Sequence, residues 1–90
     1  MAVRLSADGW LADVTVREGP SETRHRVTVT RADLDRFAPG AADPTELVRT
    51  SFAFLLGRER KESILRTFAL PVIGRYFPEF EREIRRRLRG

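Results

Sequence analysis

Two stretches of strict alternation stand within the first thirty positions, and they constrain what the rest of the chain has to do. Trp10, Ala12, Val14 and Val16 fall on one side against Leu11, Asp13, Thr15 and Arg17 on the other. His25, Val27 and Val29 alternate in the same way with Arg24, Arg26, Thr28 and Thr30. A period of two belongs to an extended strand with one buried face. The intervening Glu18-Gly19-Pro20-Ser21-Glu22 has the composition of a loop, so the two runs are expected to pair as an antiparallel hairpin. Val3 and Leu5 around Arg4, followed by the turn-prone Ser6-Ala7-Asp8-Gly9, predict a third, short edge strand. Two or three strands are marginal by themselves and need helices laid over their apolar face.

The remainder of the chain supplies those helices. Thr30 or Asp33 can cap a short turn in which Leu34 and Phe37 are spaced by three, and Pro39-Gly40 stops it. Asp43-Pro44-Thr45-Glu46 then sets an N-cap acid, a proline at the first helical position and a glutamate three residues after the cap. The helix it opens carries Leu47, Val48, Phe52, Leu55 and Leu56 over about half its circumference, wider than the roughly 100° stripe of a surface helix, and is expected to be the central one. Gly57 is placed to end it in a left-handed conformation. Ile64, Leu65 and Phe68 predict a short helical segment from near Arg60, halted by Pro71. Val72, Ile73, Tyr76 and Phe77 repeat the helical spacing up to Pro78, and Phe80, Ile84 and Leu88 form one stripe of a last helix over about 79–89.

The expected fold class is therefore α+β: an N-terminal antiparallel hairpin or three-stranded meander, strands about 3–30, packed on three to four helices over about 31–89. Because the strand patterns precede all the helical ones, a parallel, doubly wound sheet is disfavoured. At 90 residues the chain forms a single domain, 1–90, with room for one modest core but not for a deep substrate cleft beside it. Zero cysteines and one histidine leave no disulfide framework, no thiolate metal site and no histidine cluster. Asp33, Asp35, Asp43 and Glu46 are too irregularly spaced for a calcium loop, and the six glycines are scattered singly, without a phosphate-cradling run. No metal and no cofactor is expected. Met1–Ser6 lacks the apolar block of a signal peptide and no stretch reaches the length of a membrane span, so the expected setting is cytoplasmic, with no membrane partner.

The formal charge of +4 is unevenly placed. Residues 1–81 hold 12 basic and 12 acidic side chains, whereas Arg82, Arg85, Arg86, Arg87 and Arg89 face only Glu83 over the last nine positions. At about 100° per residue Arg82, Arg85, Arg86 and Arg89 gather on one helix face opposite Phe80, Ile84 and Leu88. Such a stripe suits a phosphate track for nucleic acid, with Arg75 as an accessory contact. It equally suits a solvent-facing helix, since Glu81 and Glu83 stand four residues before Arg85 and Arg87 and the arginines complement the negative end of the helix dipole. Asparagine and glutamine, the side chains that read adenine by paired hydrogen bonds, are absent altogether.

Other chemistry is sparse. His25 lies on the valine face with no nucleophile motif beside it, and Glu22, the nearest acid, falls in the loop, so no catalytic residue is expected and the chain does not read as an enzyme. A helix-turn-helix over Glu62–Phe77 fits poorly, because Val72–Phe77 offers Arg75 alone as a long polar contact. Those apolar side chains are better used in packing against the central helix, and Trp10 in the core. Lys61-Glu62-Ser63-Ile64-Leu65-Arg66-Thr67-Phe68, followed by Val72-Ile73-Gly74-Arg75-Tyr76-Phe77-Pro78-Glu79-Phe80-Glu81, resembles a group of small bacterial proteins of unknown function. The resemblance implies a bacterial cytoplasmic setting and carries over no activity, cofactor, partner or site residue. The function expected from the residues is that of a non-catalytic interaction or regulatory protein. A homo-oligomer or a protein partner is expected, through a short exposed strand edge and a C-terminal half richer in large apolar groups than a small core covers. The alternative is a nucleic-acid-binding protein using Arg82, Arg85, Arg86 and Arg89.

Overall fold

The computed structural model describes residues 1–89. Strands β1 (Ala2–Ser6), β2 (Gly9–Glu18) and β3 (Ser21–Thr30) form an antiparallel meander in chain order. The edge strand and the hairpin thus stand where alternation puts them. The hairpin turn is tighter than its composition implies: Glu18 pairs with Ser21, leaving only Gly19 and Pro20 between the strands. Gly19 has φ +58°, the left-handed value that a two-residue hairpin turn accepts from glycine.

A fourth strand, β4 (Thr67–Ala69), joins the free side of β3 in parallel, so the sheet is mixed, in the order β1-β2-β3-β4. This corrects two expectations: a sheet confined to residues 3–30, and a helical segment through Ile64, Leu65 and Phe68. The segment is instead a single 3-10 turn at Lys61–Ser63 followed by an extended run. Parallel pairing needs a long crossover, which is supplied by two helices between β3 and β4. They are α1 (Arg31–Phe37) and α2 (Thr45–Leu56). A second 3-10 turn at Leu70–Val72 runs into the one-turn α3 (Ile73–Tyr76), and α4 (Phe80–Arg89) closes the described chain.

The helix starts follow capping chemistry. Thr30 accepts from the Asp33 backbone N–H at 3.0 Å while the Asp33 carboxylate accepts from the Thr30 N–H at 2.9 Å, a reciprocal box that turns the end of β3 directly into α1. Asp43 accepts from the Thr45 N–H at 2.8 Å, so Pro44 holds the cap position and α2 starts one residue later than the proline rule places it. Gly57 ends α2 at φ −77°, right-handed rather than left-handed. Its N–H is taken by the Ala53 and Phe54 carbonyls, and the chain leaves through a tightened last turn.

Helix α2 is central because it is covered on two sides. Phe52 faces the sheet layer, with its ring 5.3 Å from the imidazole of His25 and 6.2 Å from Phe68 of β4. Phe54, about 200° around the helix, meets Phe80 of α4 at 5.3 Å and Phe77 edge-on at 5.9 Å. Leu47, Val48 and Leu55 are buried as expected, whereas Leu56 is at the surface and Phe54, outside the expected stripe, is completely enclosed. Trp10 is in the core, under the guanidinium of Arg31 at 5.0 Å.

Candidate functional site

The C-terminal helix shows how the expected arginine face is used. Phe80 and Ile84 are fully buried and Leu88 half-buried, which turns Arg82, Arg85, Arg86 and Arg89 outward together. Neighbouring carboxylates then sort them. Glu83 accepts from Arg86 and, at 3.2 Å, from Arg87. Those two guanidinium groups, Arg86 first, hold its carboxyl below the usual glutamate range. Glu81 lies 3.7 Å from Arg85 and accepts from the Nε of Arg36 at 2.7 Å, tying α4 to α1. Arg82 and Arg89 have no carboxylate within 4 Å among the described residues. Arg75 is exposed on α3, likewise without an ion pair among the described residues, and stands outside the groove that collects the α4 arginines.

That groove, of about 510 Å³, runs between α4, the start of α2 and the chain leaving α1. Half-buried Leu88 and exposed Pro39 and Ala41 provide its apolar surface over a base closed by Phe37, Ala38 and Leu47 of the core, and Arg82, Arg85 and Arg89 stand along one wall. Glu46 is on the other wall, with its carboxylate engaged by Arg49. Arg86, expected in the stripe, is turned away to Glu83. The apolar half of this groove was hidden in the sequence, because its lining comes from three segments far apart along the chain.

Two further apolar surfaces are open. On β1, Leu5 is 76% exposed although alternation puts it on the same face as Val3, which packs against the core. Around the end of α2, Leu65 and Tyr76 rim a hollow of about 140 Å³ that also involves Leu55, Phe68 and Phe77. Ile73 is buried and Phe77 half-buried against Phe54, as the packing expectation for Val72–Phe77 requires, but Tyr76 is 66% exposed.

His25 is 3% exposed. Its Nδ1 lies 2.8 Å from the Leu65 carbonyl oxygen, which can only accept, so that nitrogen carries a hydrogen. Its Nε2 is 2.8 Å from the Thr23 hydroxyl, which serves as donor to a neutral ring or acceptor from a charged one. Both ring nitrogens are therefore occupied by the fold. On the opposite face of the sheet Asp13 accepts from Arg26 at 2.9 Å and lies 3.7 Å from Arg4. The hydrogen bond from Arg26, with the charges of Arg26 and Arg4, lowers its carboxyl below the ordinary value. Lys61, the lone lysine, is buried with its ammonium 2.7 Å from Glu62 and 3.6 Å from Glu18, and the hydrogen bond to Glu62 raises it above its ordinary value. Among the described residues no group of three or more metal-ligating side chains converges, and no helix is long and apolar enough to cross a membrane.

No family model, no curated protein and no solved structure matches this chain.

Proposed function

We propose that the chain is a non-catalytic interaction protein that pairs with a second copy of itself along β1. The observation that carries this reading is Leu5, 76% exposed on the core-facing side of a strand whose outer edge has no neighbouring strand among the described residues. An open edge offers backbone donors and acceptors to another strand, and an apolar side chain beside it gains by being covered. A two-fold pairing centred on Val3 sets Met1, itself 50% exposed, against Leu5 of the second copy and keeps Arg4 opposite Ala2, so that like charges do not meet. The polar chemistry supports the non-catalytic part: the imidazole of His25 is taken up by Thr23 and Leu65, and the carboxylates of Asp13, Glu22, Glu81 and Glu83 by guanidinium groups.

Sedimentation velocity over a wide concentration range tests the pairing. The wild-type chain is expected to shift from monomer to dimer, and Leu5→Lys to remain monomeric with an unchanged circular dichroism spectrum. A wild-type chain that stays monomeric, or a dimer indifferent to Leu5→Lys, overturns the reading.

A second reading, nucleic-acid binding through Arg82, Arg85, Arg86 and Arg89 with Arg75, draws on Arg75, Arg82 and Arg89, which have no carboxylate within 4 Å among the described residues. It predicts duplex or RNA binding whose salt slope falls when Arg82 and Arg89 are replaced by alanine.

A further inference from the structure

We propose that the groove between α4, the start of α2 and the end of α1 is a docking site for an acidic amphipathic helix of a partner protein. The inference is independent of β1 pairing, since the groove and β1 are formed by different elements.

Charge and shape both point to this occupant. Arg82 and Arg89 are seven residues apart, two turns along one face of α4 and roughly 10 Å at 1.5 Å per residue. Neither is neutralised by a carboxylate within 4 Å among the described residues, and Arg85 between them shares Glu81 with Arg36 at a loose 3.7 Å. The same wall has half-buried Leu88, and the floor is the apolar surface between it and exposed Pro39 and Ala41, closed beneath by the core residues Phe37, Ala38 and Leu47. A nucleic-acid backbone would satisfy the arginines and leave that floor wet. A free carboxylate or phosphate would engage one end only. A helix with apolar side chains one turn apart fills the floor, and its flanking glutamates or aspartates reach the guanidinium groups at both ends. The volume of about 510 Å³ lies within the roughly 300–1,000 Å³ of ligand clefts, enough for one or two large anchoring side chains. Arginine suits such a rim because its planar fork pairs with carboxylate by two parallel hydrogen bonds.

The probe is a fluorescein-labelled helical peptide with leucine and phenylalanine one turn apart among glutamates, followed by anisotropy against the Leu5→Lys chain so that dimer formation does not intrude. Saturable binding is expected for this peptide. A version with serine at the apolar positions, polyglutamate and a short DNA duplex are each expected to bind more weakly. The double reversal Arg82→Glu, Arg89→Glu, at exposed positions that the fold does not need, is expected to weaken the peptide by about tenfold or more, as loss of charge-assisted contacts does. Leu88→Ser is expected to weaken it while Arg86→Gln leaves it unchanged. No saturable binding, equal binding of the serine version, or indifference to the double reversal overturns the proposal. A duplex that binds more tightly than the peptide overturns it in favour of nucleic acid.

Discussion

His25 and Leu65, forty residues apart in the chain, are joined by a 2.8 Å hydrogen bond from Nδ1 to the Leu65 carbonyl oxygen. Next to it the Arg26 N–H donates to the Arg66 carbonyl at 2.7 Å, and pairing of Arg26 with Thr67 begins the parallel ladder. The imidazole is thus the clasp that delivers the returning chain to β3. Removing it in His25→Ala leaves the Leu65 carbonyl without its side-chain donor, takes the Thr23 partner away and opens a void beside Phe52. The expected loss is about 2–4 kcal/mol, the range for a truncated buried ring with hydrogen bonds. Urea unfolding followed by circular dichroism measures it, and a loss well under 1 kcal/mol would remove the clasp from this account.

Gly9 is expected to be intolerant of any side chain. A Cβ built there would lie 2.2 Å from the Val29 carbonyl oxygen and 2.8 Å from the Thr30 Cα, and backbone atoms of a central strand cannot step aside. Gly9→Ala is expected to cost about 3 kcal/mol or more, at the upper end of overpacking. Gly74→Ala makes the control, because a Cβ there meets nothing within 4 Å and the helix gains from alanine. Comparable midpoints for the two variants in urea would contradict the steric account.

How much of this was legible beforehand depends on the length of each pattern. Ten-residue strands β2 and β3 expose five alternations each, and their pairing follows. The three residues of β4 expose one buried side chain, Phe68, between Thr67 and Ala69, and one apolar residue has no period. With Ile64 and Leu65 just before it, the helical spacing is the stronger pattern in the sequence alone. The pairing is decided by β3, whose free edge the returning chain satisfies. Phe54 was missed for a related reason: a helix buried on two sides has no single stripe. The arginine face of α4 was visible, but its division between Glu83, Glu81 and the groove depends on side-chain reach and on α1, and a helical wheel contains neither.

The aromatic seam between α2 and α4 should hold the C-terminal helix in place. Phe80 is fully buried, with ring centroids 5.3 Å from Phe54 and 5.4 Å from Phe37. Phe80→Ala is expected to destabilise by about 3–5 kcal/mol, and Phe80→Leu by clearly less because most of the volume remains. Since α4 carries Arg82, Arg85 and Arg89, the alanine variant is also expected to lose the groove. Peptide binding by a Phe80→Ala chain as tight as by wild type would show that the groove does not need this packing.

Acid should unfold the chain earlier than neutral conditions, and the direction follows from its carboxylates. Asp13, Glu22, Glu62, Glu79 and Glu83 are all lowered below their ordinary values of 3.8 and 4.5, in most cases chiefly by hydrogen bonds from arginine or lysine and in Glu79 first by a backbone N–H and then by Arg58. A group lowered in the folded state stabilises it fully above the unfolded value and stops doing so as pH falls through the folded value. Stability is therefore expected to be level near neutrality and to decline progressively below about pH 4.5, where the unfolded chain binds more protons. Lys61, raised above 10.5 by Glu62, acts in the opposite sense: its contribution is present below that value and disappears as pH rises through the folded one. Urea midpoints measured from acid to alkaline pH should trace both limbs. Asp13→Asn should flatten part of the acid limb, because the bond from Arg26 then no longer depends on a proton. A midpoint that holds constant or climbs on acidification through the carboxylate range would mean that these ion pairs are not kept in solution.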